Sequence, residues 1–181
     1  MNSCLILIDL QNDYFPGGTM ELVGIQAAAA NARLLLDKHR EAGSTVIHMQ
    51  HIAIRPGATF FLPETRGAEI NEQVAPRENE TVVVKNFPNS FRATSLLDIL
   101  HQKNIDELVI CGAMSHMCID ATVRAAFDFG FSCLVAEDAC ATKDLHFMGR
   151  IIKAADVHAS FMAALSASYA RVIATTETWQ Q

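Results

Sequence analysis

Short apolar runs alternate along this chain with longer segments of helical periodicity, and that alternation leaves few folds open. Cys4–Asp9, Thr45–Gln50, Glu80–Lys85, Leu108–Cys111, Ser132–Ala136 and Arg171–Ala174 have strand lengths, and the first reads as buried on both faces. Between them, Ile25–Glu41 draws Ile25, Ala28, Ala29, Ala32, Leu35 and Leu36 onto one helical face, with Gly43 as its C-terminal glycine. A second helix begins at Thr94 or Ser95 and turns Leu96, Leu97 and Leu100 inward. A third opens at about Cys118, aligns Ile119, Thr122, Val123, Ala126 and Phe129, and ends at Gly130. A fourth, from about His146 to Ser166, aligns Ile151, Ala155, His158, Met162 and Leu165. Strands alternating with helices predict an α/β fold, a three-layer α/β/α arrangement around a parallel sheet of about six strands. The expected strand order is 3-2-1-4-5-6. No repeat, low-complexity tract or linker divides the sequence, so residues 1–181 read as one domain.

Composition removes several function classes. A net charge of −6 with no Lys/Arg run argues against nucleic acid. No apolar stretch reaches the length of a membrane span. Met1–Asp9 lacks the basic flank of a signal peptide. The five cysteines, Cys4, Cys111, Cys118, Cys133 and Cys140, are odd in number and form no CxxC pair. Neither a disulfide framework nor a thiolate zinc site is expected, and reduced thiols fit a cytoplasmic location.

Open parallel sheets place their sites at the carboxyl ends of the strands. Three ionisable residues fall there: Asp9 after the first strand, Lys85 after the third and Cys118 after the fourth. Cys118 stands at a strand-to-helix turn, where free backbone N–H groups and the helix dipole are expected to lower a thiol's pKa. The irregular stretch from His51 to about Pro76 reads as a functional loop.

These residues carry a family resemblance. Leu7-Ile-Asp-Leu-Gln-Asn-Asp-Tyr-Phe15, then Val84-Lys85 with Pro88-Asn-Ser-Phe91 and Thr94, then Gly112-Ala-Met-Ser-His-Met-Cys118 with Asp120-Ala-Thr122 and Arg124-Ala-Ala126, resemble the three motifs of the isochorismatase-like cysteine hydrolases, in order and at similar spacing. The resemblance covers essentially the whole chain. It implies a catalytic set of Asp9, Lys85 and Cys118: a thiolate nucleophile, a carboxylate moving its proton, and an ammonium favouring the thiolate. It also implies a cis peptide at Ala113–Met114 and an oxyanion hole made by the backbone N–H groups of Met114 and Cys118. Strand order alone leaves Lys85 two strands from Asp9, roughly 9 to 10 Å away.

The expected activity is hydrolysis of a C–N bond in a small amide or carbamoyl compound through a thioester, with no cofactor. Nicotinamidases of the family carry a metal site, but here His51 takes the place of the aspartate that follows the second strand, so no metal is expected. Tyr14, Phe15, His51, Phe60, Phe61, Phe91 and His116 are candidate pocket residues, and Arg55 a candidate partner for a substrate carboxylate. Two alternatives stand beside this reading. One is isochorismatase-type hydrolysis without covalent catalysis, and the other a small-molecule-binding or thiol-sensing protein. Ala-rich helices and loop aromatics suggest a homo-oligomer, as the family commonly forms.

Overall fold

The computed structural model describes residues 2–178. Its parallel sheet is built from β1 (Ser3–Ile8), β2 (Thr45–His51), β3 (Thr81–Lys85), β4 (Glu107–Ala113) and β5 (Ser132–Ala141). A separate hairpin, β6 (Leu145–Phe147) and β7 (Arg150–Ile152), precedes the last sheet strand, β8 (Arg171–Ile173). The order across the sheet is β3-β2-β1-β4-β5-β8, as expected once β8 is counted as the sixth strand.

Alternation along β1 sorts the core into two layers. Leu5 and Leu7 pack against Ala28, Ala32 and Leu35 of α1 (Ile25–Glu41). Cys4, Ile6 and Ile8 face the opposite way, among Leu96 and Leu100 of α2 (Leu96–Gln102), Val123 of α3 (Asp120–Asp128) and Met162 of α4 (Ala154–Ser166). No helix among the described residues is long and apolar enough to cross a membrane.

Three elements differ from the sequence reading. β5 continues to Ala141, where Glu137–Thr142 reads as a loop; the strand passes a bulge, so that Ile110 pairs with Val135 but Gly112 with Cys140. Its polar residues are accommodated because Asp138 accepts hydrogen bonds from Thr175 N (2.7 Å) and Oγ1 (2.6 Å). The fourth helix starts at Ala154 rather than His146. Met148 and Gly149 both have positive φ (48° and 75°), the geometry of a tight hairpin turn, and Ile151 is exposed on β7 instead of buried on a helix. Phe129, aligned with the buried face of α3, is half exposed and rests on Phe91 at 5.1 Å between ring centroids.

Candidate active site

β1 ends at Ile8, and Asp9 takes a left-handed conformation (φ 52°) that turns the chain off the sheet while its N–H still bonds Met49 O at 3.1 Å. Positive φ is uncommon for a residue with a Cβ. On the neighbouring strand Gly112 has φ 125°, and a Cβ there would stand 2.0 Å from Ile8 O, so only glycine lets β4 lie this close to β1. The Ala113–Met114 peptide is cis. A π-helical turn (Ser115–Ile119) then leads directly into α3, and Met114 O accepts from the N–H groups of Met117 (3.0 Å) and Ile119 (3.2 Å). Cys118 sits between those two donors, 3% exposed.

Lys85 joins the two strand ends. It is in register with His51 on β2, and its flexible stem reaches past that strand. Nζ lies 2.8 Å from Asp9 Oδ2 and donates to Cys118 Sγ (3.3 Å), His51 Nδ1 (3.1 Å) and the carbonyls of Phe87 (3.1 Å) and Pro88 (3.4 Å). The two-strand gap is thus closed by side-chain length. His51 Nδ1 accepts here, which places the ring proton on Nε2. Asp9 and Lys85 form a close ion pair, yet neither Asp9 oxygen has a partner in hydrogen-bond geometry among the described residues. The contact is electrostatic and off-line.

The electrostatics follow from burial and these neighbours. Burial pushes the Asp9 carboxyl up, but the Lys85 charge and His51 outweigh it and hold it below its usual range. Burial pushes Lys85 down, but Asp9 and Cys118 outweigh it, so the ammonium stays charged. Burial and then the Asp9 charge drive the Cys118 thiol upward against the opposing pull of Lys85. The expectation of a dipole-lowered thiol is therefore corrected: at rest the group is a neutral thiol, because it is sealed from water beside a carboxylate.

Asp9, His51 and Cys118 each offer a ligand atom, all within 4.8 Å of one another. The Lys85 ammonium touches all three, however, so a positive charge already holds the position a cation would need.

A cavity of about 490 Å³, within the range of small-molecule sites, adjoins this cluster at His51. Its wall is largely apolar (Ala53, Ile54, Phe60, Phe87, Pro88 and Met117), with His51, Asn86 and Arg55 as polar members. Of the candidate pocket residues, His51 and Phe60 line it, as does Arg55. Tyr14 and Phe61 are buried behind Phe60, at 6.0 and 5.0 Å between ring centroids. Phe15 lies buried in the core layer with α1. Phe91 belongs to the opposite layer, stacked near Phe131. His116 is not among the lining residues and contacts Thr142 Oγ1 at 2.6 Å. Residue type alone cannot say which way a loop aromatic points.

Gln11 carries a role the sequence did not reveal. Fully buried, it donates to His51 O (2.9 Å) and Ala68 O (2.7 Å) and accepts from His51 N (2.7 Å), which fixes the backbone of His51 at the cavity floor. Asp13 is the second such anchor. It accepts from Phe61 N at 2.6 Å and Thr19 Oγ1 at 2.8 Å, and a Cβ on Gly67 would collide with its carboxylate at 2.2 Å. Both lie in the first motif, and their spacing there was the one available signal.

Comparison with known proteins agrees with the fold and the motif order. The isochorismatase domain model matches residues 3–177. The chain is 51% identical over 179 residues to the isochorismatase family protein YddQ of Bacillus subtilis, covering 99% of each. It superposes on a crystal structure from Oleispira antarctica with a TM-score of 0.94 at 50% identity, covering 97% of this chain and 95% of that one. Among more distant relatives is the maleamate amidohydrolase of Pseudomonas putida, 28% identical over 191 residues, covering 98% of this chain and 85% of the relative. A domain match that spans nearly the whole chain, with a relative identical at half its positions, settles the grouping: this protein belongs to the isochorismatase family of hydrolases.

Proposed function

We propose that this protein hydrolyses the C–N bond of a small amide or carbamoyl compound, with Cys118 as nucleophile, Asp9 as proton carrier and Lys85 as the fixed cation. The observation that carries the reading is one ammonium in contact with both the carboxylate (2.8 Å) and the thiol (3.3 Å), all three side chains buried. The relative that hydrolyses maleamate supports an amide as the bond class.

The thiol is neutral at rest, so proton loss and attack are coupled. As Sγ bonds to the carbonyl carbon, its proton passes to Asp9, whose oxygens have no aligned donor and are free to accept it. The carbonyl oxygen takes up the negative charge beside the backbone N–H groups of Met114 and Cys118, our candidates for the oxyanion hole. Asp9 then gives the proton to the amide nitrogen, the C–N bond breaks, and ammonia or an amine departs from a thioester on Cys118. Water attacks the thioester, with Asp9 receiving one of its protons and returning it to sulfur. The sum is amide plus water to acid plus amine. Lys85 keeps its proton throughout and prevents Asp9 from standing as an isolated buried charge.

The test is ammonia release from a panel of small amides, with trapping of the thioester by hydroxylamine. Turnover in the wild type that disappears in Cys118→Ala is the expected result. Turnover that survives in Cys118→Ala would falsify covalent catalysis and favour direct hydrolysis without a thioester. Self-association, a further part of the proposal, is supported by Phe147, Met148 and Ile151, which stand exposed on the β6–β7 hairpin. Sedimentation velocity of the wild type and a Phe147→Ser, Met148→Ser variant would show it, the wild type sedimenting as the larger species.

A further inference from the structure

The nucleophile turn is wound in a register that passes over one particular N–H, and two side chains outside the cavity fasten it there. An α-helical turn bonds each N–H to the carbonyl four residues back, which would tie Cys118 N–H to Met114 O. The π register of Ser115–Ile119 gives that carbonyl the N–H groups of Met117 (3.0 Å) and Ile119 (3.2 Å) instead. Cys118 N–H is skipped by Met114 O, and it is the group assigned above to the oxyanion hole. Relaxation into the α register would leave the thiol in the site and divert this donor to Met114 O.

Downstream of the turn, α3 is fixed by Val123 and Ala126, both fully buried in the core. A change of register therefore falls on the upstream end, at Ser115. That side chain is fully buried, with Oγ 3.3 Å from Ala141 O on β5 and 2.9 Å from His158 Nδ1 on α4. The hydroxyl can donate to Nδ1 or accept from it, so the link does not depend on the tautomer of the ring. The other ring nitrogen, Nε2, lies 3.3 Å from Glu137 Oε2, which aims the imidazole. His116 of the turn also meets α4, its ring centroid 6.0 Å from that of Phe161. Most buried hydroxyls only satisfy a nearby backbone group. This one ties the first residue of the π turn to two separate elements, and neither Ser115 nor His158 is among the residues lining the cavity at His51.

Resting on the reading of Cys118 as the nucleophile, we propose that Ser115 and His158 are positioning residues, which hold the turn in its π register and so keep Cys118 N–H off Met114 O and available to the reacting oxygen. Neither touches the substrate, and both act through the backbone at Cys118. Their loss therefore slows reactions that build negative charge on a carbonyl oxygen and spares reactions of the thiol that build none. Iodoacetamide belongs to the second kind, because its carbon–iodine bond breaks as the sulfur–carbon bond forms. p-Nitrophenyl acetate belongs to the first. Sγ bonds to its carbonyl carbon, the thiol proton passes to Asp9, and the oxygen carries the negative charge. The ester C–O bond then breaks, and p-nitrophenolate leaves with the electron pair.

The experiment measures both rates in wild type, Ser115→Ala, Ser115→Thr, His158→Leu and His158→Asn, each corrected for the same reagent acting on Cys118→Ala. We expect acylation to fall about tenfold to a hundredfold in Ser115→Ala and His158→Leu, short of the effect of deleting an oxyanion donor outright, while alkylation stays within about twofold of wild type. Ser115→Thr keeps the hydroxyl and His158→Asn places an amide where Nδ1 stood, so both recover most of the acylation rate. For any amide the enzyme turns over, the same losses appear in kcat and leave KM near its wild-type value. His158 is partly exposed, so His158→Leu decides the matter if the buried Ser115→Ala does not fold. Acylation and alkylation that fall alike show a general loss of the site and overturn the proposal, as does acylation indifferent to both residues. A wild type acylated no faster than Cys118→Ala sinks the nucleophile reading and the positioning role with it. Acylation that depends on His158, in a wild type that releases no ammonia from any amide, sinks the amidase reading and leaves the positioning role standing.

Discussion

Two buried clusters of the same formal composition lie three residues apart on β2, and they are built differently. Each holds one cation, one carboxylate and one histidine: Lys85, Asp9 and His51 at the carboxyl edge, and Arg40, Glu80 and His48 on the α1 side of the sheet. Glu80 receives four aligned donors, from Arg40 Nε (2.6 Å) and Nη2 (2.8 Å), Arg77 N (2.9 Å) and His48 Nε2 (3.0 Å). Burial pushes Glu80 up, yet those bonds bring its pKa down to about 2. Asp9 receives no aligned donor at either oxygen. A saturated carboxylate fastens α1 to the segment before β3 and has no capacity left for chemistry. The unsaturated one has lost its water without gaining a full set of bonds, a state tolerated where a proton must be taken up and released.

The comparison breaks most sharply at Asp9. Asp9→Asn should lower amide turnover by about a thousandfold or more, since the proton carrier is gone. The same change removes the negative charge that pushes the Cys118 thiol up and leaves Lys85 to pull it down. Iodoacetamide should therefore alkylate Cys118 faster in Asp9→Asn than in wild type near neutral pH, while Glu80→Gln changes neither rate. A variant that loses both turnover and alkylation would mean that Asp9 only holds the turn.

Next in size is the loss of the shared cation. Lys85→Met strands the Asp9 carboxylate in a dry site, and breaking a buried pair in this way costs about 3–5 kcal/mol. Urea unfolding should show that loss at pH 7, with much of it recovered by the double variant Lys85→Met, Asp9→Asn, in which no lone charge remains. No recovery would show that Lys85 stabilises through its bonds to the Phe87 and Pro88 carbonyls rather than through Asp9.

How much of this was legible beforehand depended on which physical rule governed each element. The sheet order and the position of Asp9, Lys85 and Cys118 at strand ends could be read because apolar runs and strand ends are local patterns. The closing of the two-strand gap could not, because it depends on the reach of the Lys85 side chain. The β6–β7 hairpin was not legible, because Ile151, Ala155, His158, Met162 and Leu165 keep a helical period across it, and the positive φ of Met148 and Gly149 is what breaks the helix. The thiol's direction was misread for a different reason. A helix N-terminus lowers a pKa locally, but burial beside Asp9 depends on the rest of the fold. His51 could be named but not placed, because its contacts run to Gln11, Lys85 and Phe61, which lie far away in the sequence.

Glu80→Gln should have a smaller effect, about 1–3 kcal/mol, because the amide still accepts from Arg40 while the charge is lost. Ammonia release should stay at the wild-type rate, which separates this cluster from the one at the carboxyl edge. A parallel loss of turnover at unchanged folded fraction would instead tie the two through β2.

The finest distinction is the pH dependence of that difference. Against burial, the Arg40, Arg77 and His48 donors bring the Glu80 carboxyl down from its ordinary 4.5 to about 2, so its stabilisation is present above 4.5 and is lost as pH falls toward 2. His48 is held below the ordinary histidine value of 6.5 by burial, with Arg40 adding to that and Glu80 opposing it. The unfolded chain therefore takes up a proton below 6.5 that the folded protein excludes, and stability again declines with acid. Between pH 7 and 5 the His48 contribution acts in both wild type and Glu80→Gln, and the variant's unfolding free energy should fall at least as steeply, because Glu80 no longer opposes the depression of His48. From pH 4.5 downward only the wild type loses the Glu80 contribution, and the two curves should converge with a slope no steeper than about 1.4 kcal/mol per pH unit, the limit for one proton. Curves that stay parallel down to pH 3 would place the stabilisation in the shape of the Arg40 contact rather than in the charge of Glu80.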